Sequence, residues 1–457
     1  MNARCLLRSI HLLILIVALV VLGPPLSANA QEKVIYNFQS VPDGSSPHAD
    51  LVMDAKGNLY GTTAGGGAST CAEQSGGSSP CGVVFRLTPP SVKGGSWSET
   101  VLYSFLGPSG DGEFPESPLL LDGNGNLYGT TPNGGNGLGG GNIMCGSFSL
   151  IQGCGIVFEL SPPTQEGAAW TKKTLYNFQG LGDGYVPVGR LAMDAKGNLY
   201  GATLFDGTAG FGVAFELSPP TQGSGSWTEN VLYNFQGNGD GSYPEGGLLL
   251  DRRGNLFGVT NSGGSANLGT VFRLSPTNGH AWTENVLHSF LGGSDGASPS
   301  SGLTVGPIGG LYGTTSHGGT SSNCFQAGCG TVYNLAWNAG VWTEKVLYSF
   351  QGNSDGQYPY AGVAFDKQGN LYGTTYQGGS VNVYLGTIFR LTPSGSSWKE
   401  QIVHSFHGSP DGASPFAGLV FGTNGRLFGT TSGGGGGSGV GTVFELSTPS
   451  APTPGHP

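Results

Sequence analysis

The chain has 457 residues, of which 86 are Gly and 28 are Pro, with charged residues at 10% and hydrophobic residues at 37%. The glycines show no period of three, which excludes collagen, and they alternate with regularly spaced aromatic and aliphatic residues, which excludes a low-complexity tract. A net charge of −10 leaves no basic footprint for a phosphate backbone, so nucleic acid is not an expected partner.

Residues 1–30 read as a secretory signal. Arg4 and Arg8 form a basic start, Leu12 to Leu22 is an unbroken apolar run, and Ala28-Asn29-Ala30 offers a small-x-small cleavage site. The apolar run is short for a bilayer span, and Gly23-Pro24-Pro25 interrupts it. No later segment reads as a membrane span, so the expected product is secreted, either extracellular or periplasmic.

From residue 31 to 448 the chain repeats itself, in units of about 55 to 72 residues. The most regular mark is Asp-Gly-x-x-Pro, at Asp43, Asp111, Asp183, Asp240, Asp295, Asp355 and Asp411. After each mark comes an apolar run such as Leu248-Leu249-Leu250, then a turn such as Asp251 to Asn255, then a second strand such as Leu256 to Thr260. Asp bonds the turn amides and Gly takes positive φ there, which predicts a tight hairpin. A Gly-rich loop, a third strand such as Thr270 to Leu274 and a fourth such as Trp282 to Phe290 complete the unit. No stretch after the leader has helical periodicity.

A lone four-stranded sheet with apolar residues on both faces must be covered twice. Stacking such sheets radially does this and leaves few open edges. The expected fold is therefore all-β, a seven-bladed β-propeller of four-stranded antiparallel blades. The mid-strand glycines (Gly61, Gly129, Gly201, Gly258, Gly313, Gly373, Gly429) are expected where a neighbouring sheet's aromatic approaches. Trp97, Trp170, Trp227, Trp282, Trp342 and Trp398 begin six fourth strands, whereas the last unit has none of its own. Glu32 to Phe38 aligns with Glu344 to Phe350, so the N-terminal strand is expected to close the last blade. The Pro-rich tail, 449–457, is expected to be disordered.

Apart from Cys5 in the leader, the cysteines fall in three local pairs, Cys71 with Cys81, Cys145 with Cys154 and Cys324 with Cys329. Local pairing in an exported chain predicts three loop disulfides. Zinc is the competing reading, and none of the pairs has C-x-x-C spacing.

Seven copies of x-L-Y-S/N-F-x-G-x-x-D-G-x-x-P, D-x-x-G-N-L-Y-G-T-T and G-T-V-F-x-L resemble the GloVer tandem-repeat proteins, exported bacterial repeat proteins of unassigned biochemical role. The D-x-x-G-N-L-Y fragment is also similar to NHL-type propeller repeats. The resemblance covers nearly all of residues 34 to 448 and implies the same β-propeller-like architecture.

Residues repeated in every unit read as scaffold. The mark Asp and the hairpin Asp (Asp54, Asp122, Asp194, Asp251, Asp366) are expected to be turn formers rather than cation ligands, because the D-x-D-x-D-G spacing of a calcium loop is absent. Gly306 and Gly422 replace the hairpin Asp in two units. A unique site belongs where units differ near the central channel, and the position after the mark Pro is such a place. It holds His48, Glu116, Val188, Glu245, Ser300, Tyr360 and Phe416, with Asp50 and Arg190 two residues further on.

His48, Glu116, Glu245 and Arg190 are the candidates for acid–base chemistry at the channel mouth. Phe325, Tyr376 and Tyr384, on long rim loops, join Tyr360 and Phe416 as candidate binding residues. His288 and His404 stand in the Tyr position of the fourth strand and are expected to pack as ring substitutes. His407, three residues beyond His404, is expected on the opposite strand face. G-x-S-x-G, H-E-x-x-H and phosphate-cradling loops are missing. These features predict an exported binding or surface-interaction module for a glycan or an exported protein, acting as a monomer without a cofactor. The alternative is a channel-mouth hydrolase or lyase with His48 as base and Glu116 or Glu245 as acid or as ligand to a divalent cation, structural or catalytic, the one cofactor left open.

Overall fold

The structure, a computed structural model, describes residues 31–72, 78–107, 110–136, 145, 153–165, 167–221, 225–277, 281–307, 309–325, 327–380 and 384–447. The expected leader and tail lie outside these residues. Seven antiparallel sheets, each of four strands and one of them extended by the short strand Ser242–Pro244, form a seven-bladed β-propeller. In the first blade the strands from the channel outward are Val52–Met53, Leu59–Thr63, Val83–Thr88 and Ser98–Ser104. In the last they are Val420–Phe421, Leu427–Thr431, Thr442–Ser447 and Gln31–Asn37. The N-terminal strand closes the ring as expected, running antiparallel to Thr442–Ser447 with Gln31 opposite Ser447. Among the described residues regular helix is confined to two single 3-10 turns, Gly293–Asp295 and Asn353–Asp355, and no helix is long and apolar enough to cross a membrane.

The mid-strand glycines do make room for a ring, but the ring is not the neighbouring sheet's. Gly61 pairs with Phe85 on the next strand of its own blade, and a Cβ on Gly61 would lie 2.7 Å from Phe85 Cζ and 2.9 Å from Leu51 Cδ2. The missing side chain lets Phe85 fold across its own sheet. The neighbouring blade then packs on that ring: Phe38, fully buried, meets Phe85 edge to face at 5.1 Å. Phe105 with Phe158 and Phe178 with Phe215 repeat the contact. Burying such a phenyl ring contributes about 1.5–3 kcal/mol, and the edge-on geometry about 0.5–1.5 kcal/mol more. The Trp column also bridges blades, Trp170 against Tyr60 and Trp97 against Phe428.

Every outer strand carries a β-bulge. In the first blade Val101 pairs with Phe85 and Tyr103 with Val84, leaving Leu102 unpaired. Glu99 and Tyr103 are four residues apart and would share a face in a regular strand. The bulge puts them on opposite faces, so that Glu99 reaches back to Asp43 in the preceding seam and Tyr103 forward to Asp111 in the next.

The mark Asp is a turn residue, as expected. Asp43 accepts hydrogen bonds from Tyr36 Oη at 3.0 Å and the Gln39 amide at 2.8 Å. Tyr103, Tyr176, Tyr233 and Tyr348 do the same for Asp111, Asp183, Asp240 and Asp355. The hairpin Asp is likewise structural: Asp54 Oδ1 accepts the amides of Lys56 and Asn58. His288 and His404 pack edge-on against Phe290 and Phe406 at 4.8 Å, and each brings Nε2 to its mark Asp as Tyr brings its hydroxyl. The expectation for His407 fails. Its strand ends at Ser405, where face alternation stops, and His407 Nδ1 lies 3.3 Å from the same Asp411 carboxylate.

The cysteines pair as expected, Cys71 with Cys81, Cys145 with Cys154 and Cys324 with Cys329, with Cα separations of 5.1, 5.3 and 5.2 Å. Each disulfide packs under the glycine that opens the next mark turn, Gly107, Gly180 and Gly352. Disulfides and mark turns therefore share one rim.

Candidate functional site

The residue before each mark Pro sets the channel mouth. In all seven units it is not Gly, yet its φ lies between 54° and 59° (Ser46, Phe114, Val186, Tyr243, Ser298, Tyr358, Ser414). Such a left-handed backbone is costly for these residues, Val186 above all. Each is held there by its own N–H, which donates into the preceding blade's loop, as Ser46 to the Val440 carbonyl and Val186 to the Cys154 carbonyl. The Pro that follows fits against a positive-φ glycine of that loop, Pro115 on Gly82 for example, where a Cβ would meet Pro115 Cδ at 2.6 Å. Turn and Pro together aim the next side chain into the channel.

All seven of those side chains line one cavity of about 760 Å³, together with Asp50 and Arg190. Four of them, Tyr360, Phe416, His48 and Glu116, form an unbroken arc. Tyr360 and Phe416 stack face to face at 4.8 Å and 8°. Phe416 meets the His48 ring at 5.3 Å, and His48 Nδ1 lies 3.5 Å from Glu116 Oε1. Tyr376 closes the aromatic end, edge-on to Phe416 at 5.4 Å and to Tyr360 at 5.7 Å. Burial raises the Tyr360 phenol, with Tyr358, Tyr376 and Glu245 adding to the rise, so it stays a neutral donor.

The charged candidates form separate groups. Arg190 reaches Asp50, 3.7 Å away, and Asp50 also accepts the Gly418 amide. Glu245 accepts a hydrogen bond from Asn261 Nδ2 at 3.0 Å, and Asn261 also donates to Ser300 at 3.1 Å. Burial raises the Glu245 carboxyl, and hydrogen bonds from Ser300 and Asn261 draw it partly back. Phe325 is 93% exposed and Tyr384 43%. Neither lines the cavity, and neither touches the mouth aromatics among the described residues.

Sequence reasoning missed a second variable column. Tyr376 and Asn261 both directly follow the second Thr position of the second strand, Thr375 and Thr260. The corresponding residues elsewhere are Ala64, Pro132, Leu204, Ser316 and Ser432. A column that varies immediately after a fixed Thr was the available signal. It identifies Tyr376 as part of the mouth rather than of a rim loop.

A family model described as the Gloeobacter/Verrucomicrobia repeat matches residues 143–325 and 283–453. The chain belongs to the Gloeobacter/Verrucomicrobia repeat family. The comparison agrees with the resemblance carried by the repeated motifs, and it extends over the repeats that build more than half of the ring. No curated protein matches the chain. Solved structures similar to this Gloeobacter/Verrucomicrobia repeat protein include a calcium-bound carbohydrate-active enzyme of family AA12 from Trichoderma reesei, at 15% identity and TM-score 0.42, covering 92% of this chain and 96% of that one. A protein of unknown function from Dyadobacter fermentans matches at 16% identity and TM-score 0.42, covering 82% and 98%. A protein from Lactobacillus plantarum matches at 13% identity and TM-score 0.46, covering 76% and 84%.

Proposed function

We propose that this propeller is an exported binding module whose channel mouth takes a glycan. The observation that carries the reading is the continuous arc from Tyr376 through Tyr360, Phe416 and His48 to Glu116. Its aromatic end offers apolar surface to the C–H faces of a sugar ring. Its polar end offers acceptors and donors for hydroxyls, the mixture expected of a small-molecule site. The three disulfides and the N-terminal leader support export as part of the same reading.

The test is a glycan array probed with folded protein, followed by calorimetry on the hits. Phe416→Ala is expected to weaken binding by about tenfold or more, the scale of about 1.4 kcal/mol. An array without hits, or hits indifferent to Phe416→Ala, contradicts the proposal. A protein array probed in parallel returns the competing partner class.

The catalytic alternative, a hydrolase or lyase, draws on the His48–Glu116 pair alone. A second acid–base group must converge on the same point. Glu245 is held by Asn261 and Arg190 faces Asp50, which weighs against that reading.

A further inference from the structure

The seams between blades repeat one constellation, and its variation around the ring points to a ligand. In each seam the mark Asp meets a ring group of the strand before it and, from the next blade's outer strand, the residue two after the Trp column or its N-terminal equivalent. In six seams that residue is Glu: Glu32, Glu99, Glu229, Glu284, Glu344 or Glu400. Each of these has a buried Oε1 without a hydrogen-bond partner. Asp43, only 8% exposed, has its Oδ1 in the same condition. Two facing carboxyl groups with unpartnered buried oxygens lack a positive charge or a proton between them. In the seventh seam the chain supplies the charge itself, with Lys172 Nζ 2.6 Å from Asp111 Oδ1.

The third group separates the seams further. In five it is a Tyr hydroxyl, a poor metal ligand when neutral. In two it is an imidazole, His288 or His404. One imidazole nitrogen with two carboxylates is a donor set that zinc takes. Glu32, His404 and Asp411 offer ligand atoms all within 4.8 Å of one another, and so do His288, Asp295 and Glu344. Ligands on tetrahedral zinc, at bonds of about 2.0–2.2 Å, stand roughly 3.3–3.6 Å apart, so side-chain adjustment alone closes either cluster. The Asp411 seam has a fourth donor close by, His407 Nδ1, 3.3 Å from Asp411 Oδ2. Leu291 takes the corresponding place in the other seam, leaving that position for water.

We propose that the Glu32–His404–Asp411 and His288–Asp295–Glu344 clusters are zinc sites that clamp adjacent blades. The first ties the N-terminal strand, which closes the ring, to the blade before it. A zinc ion there sets positive charge between the facing carboxyl groups, as the Lys172 ammonium does in its own seam.

The experiment titrates chelator-stripped protein with zinc chloride at pH 7, following stoichiometry by calorimetry and Tm by differential scanning. Two equivalents and a raised Tm are expected. His404→Tyr restores the residue found in five other seams, so the fold is retained, and it is expected to leave one equivalent. The double variant His288→Tyr/His404→Tyr is expected to take none and to show no zinc-dependent Tm change. Glu32→Gln is expected to remove the same equivalent as His404→Tyr. Failure of stripped wild-type protein to bind zinc at micromolar concentrations overturns the proposal, as does a double variant that binds and responds like wild type.

Discussion

Lys172 Nζ lies 2.6 Å from Asp111 Oδ1, in the place that Glu99 occupies against Asp43 one seam earlier. Both partners of this ion pair are buried, at 9% and 8% side-chain exposure. Removing the ammonium leaves a buried carboxylate with hydrogen bonds from Tyr103 and the Leu106 amide but no opposite charge. Lys172→Met is therefore expected to cost about 3–5 kcal/mol in denaturant unfolding. Lys172→Glu, which reproduces the other six seams, is expected to cost less at pH 5 than at pH 8. A Lys172→Met variant as stable as wild type contradicts this reading of the seam.

The remaining seams predict an unusual pH dependence. Burial and the facing Asp push Glu99, Glu229, Glu284 and Glu400 up to about 7, from an ordinary value of 4.5. A carboxyl group with a raised folded value binds more protons folded than unfolded. Its contribution is complete below about 4.5 and is lost as pH rises through about 7. The depressed groups, Asp54 and Asp411, act at the acid end, where stability falls as pH drops through their folded values. Tm measured in chelator is thus expected to fall between pH 5 and pH 8, and the double variant Glu99→Gln/Glu229→Gln is expected to flatten the fall. A Tm that is level or rising across that window contradicts the assignment.

The glycine columns give a steric prediction. Gly61→Ala places a methyl group against Phe85 and Leu51 and is expected to cost about 1–3 kcal/mol by overpacking. Gly123→Ala, where a Cβ meets nothing within 4 Å, serves as the control and is expected to be near neutral. Equal effects of the two substitutions in chemical unfolding contradict the packing account.

Blade number, strand order, ring closure and disulfide pairing were legible in the sequence because each rests on a repeated or local pattern. Seven marks count the blades, and Glu32 to Phe38 visibly replaces a missing strand. What escaped depends on small departures from period two. The bulge at Leu102 decides which seam Glu99 and Tyr103 each face, and a run of apolar residues does not reveal where a strand slips by one. The ring expected against Gly61 from a neighbouring sheet comes instead from Phe85, which pairs with Gly61 within one sheet. At the mouth, the column after the mark Pro was readable because it varies beside a fixed residue. Tyr376 was read instead as a rim residue; its amide bonds the Tyr358 carbonyl, which sets it beside Tyr360 in the same blade, and the neighbouring blade brings Phe416 to both.

The central claim, that the channel mouth binds ligand, is tested most directly by a crystal structure of the protein with the strongest array hit. The account predicts density within the cavity, in contact with Phe416 and within hydrogen-bond distance of His48 or Glu116. Density on the outer rim at Phe325 or Tyr384, with the mouth open to solvent, contradicts it.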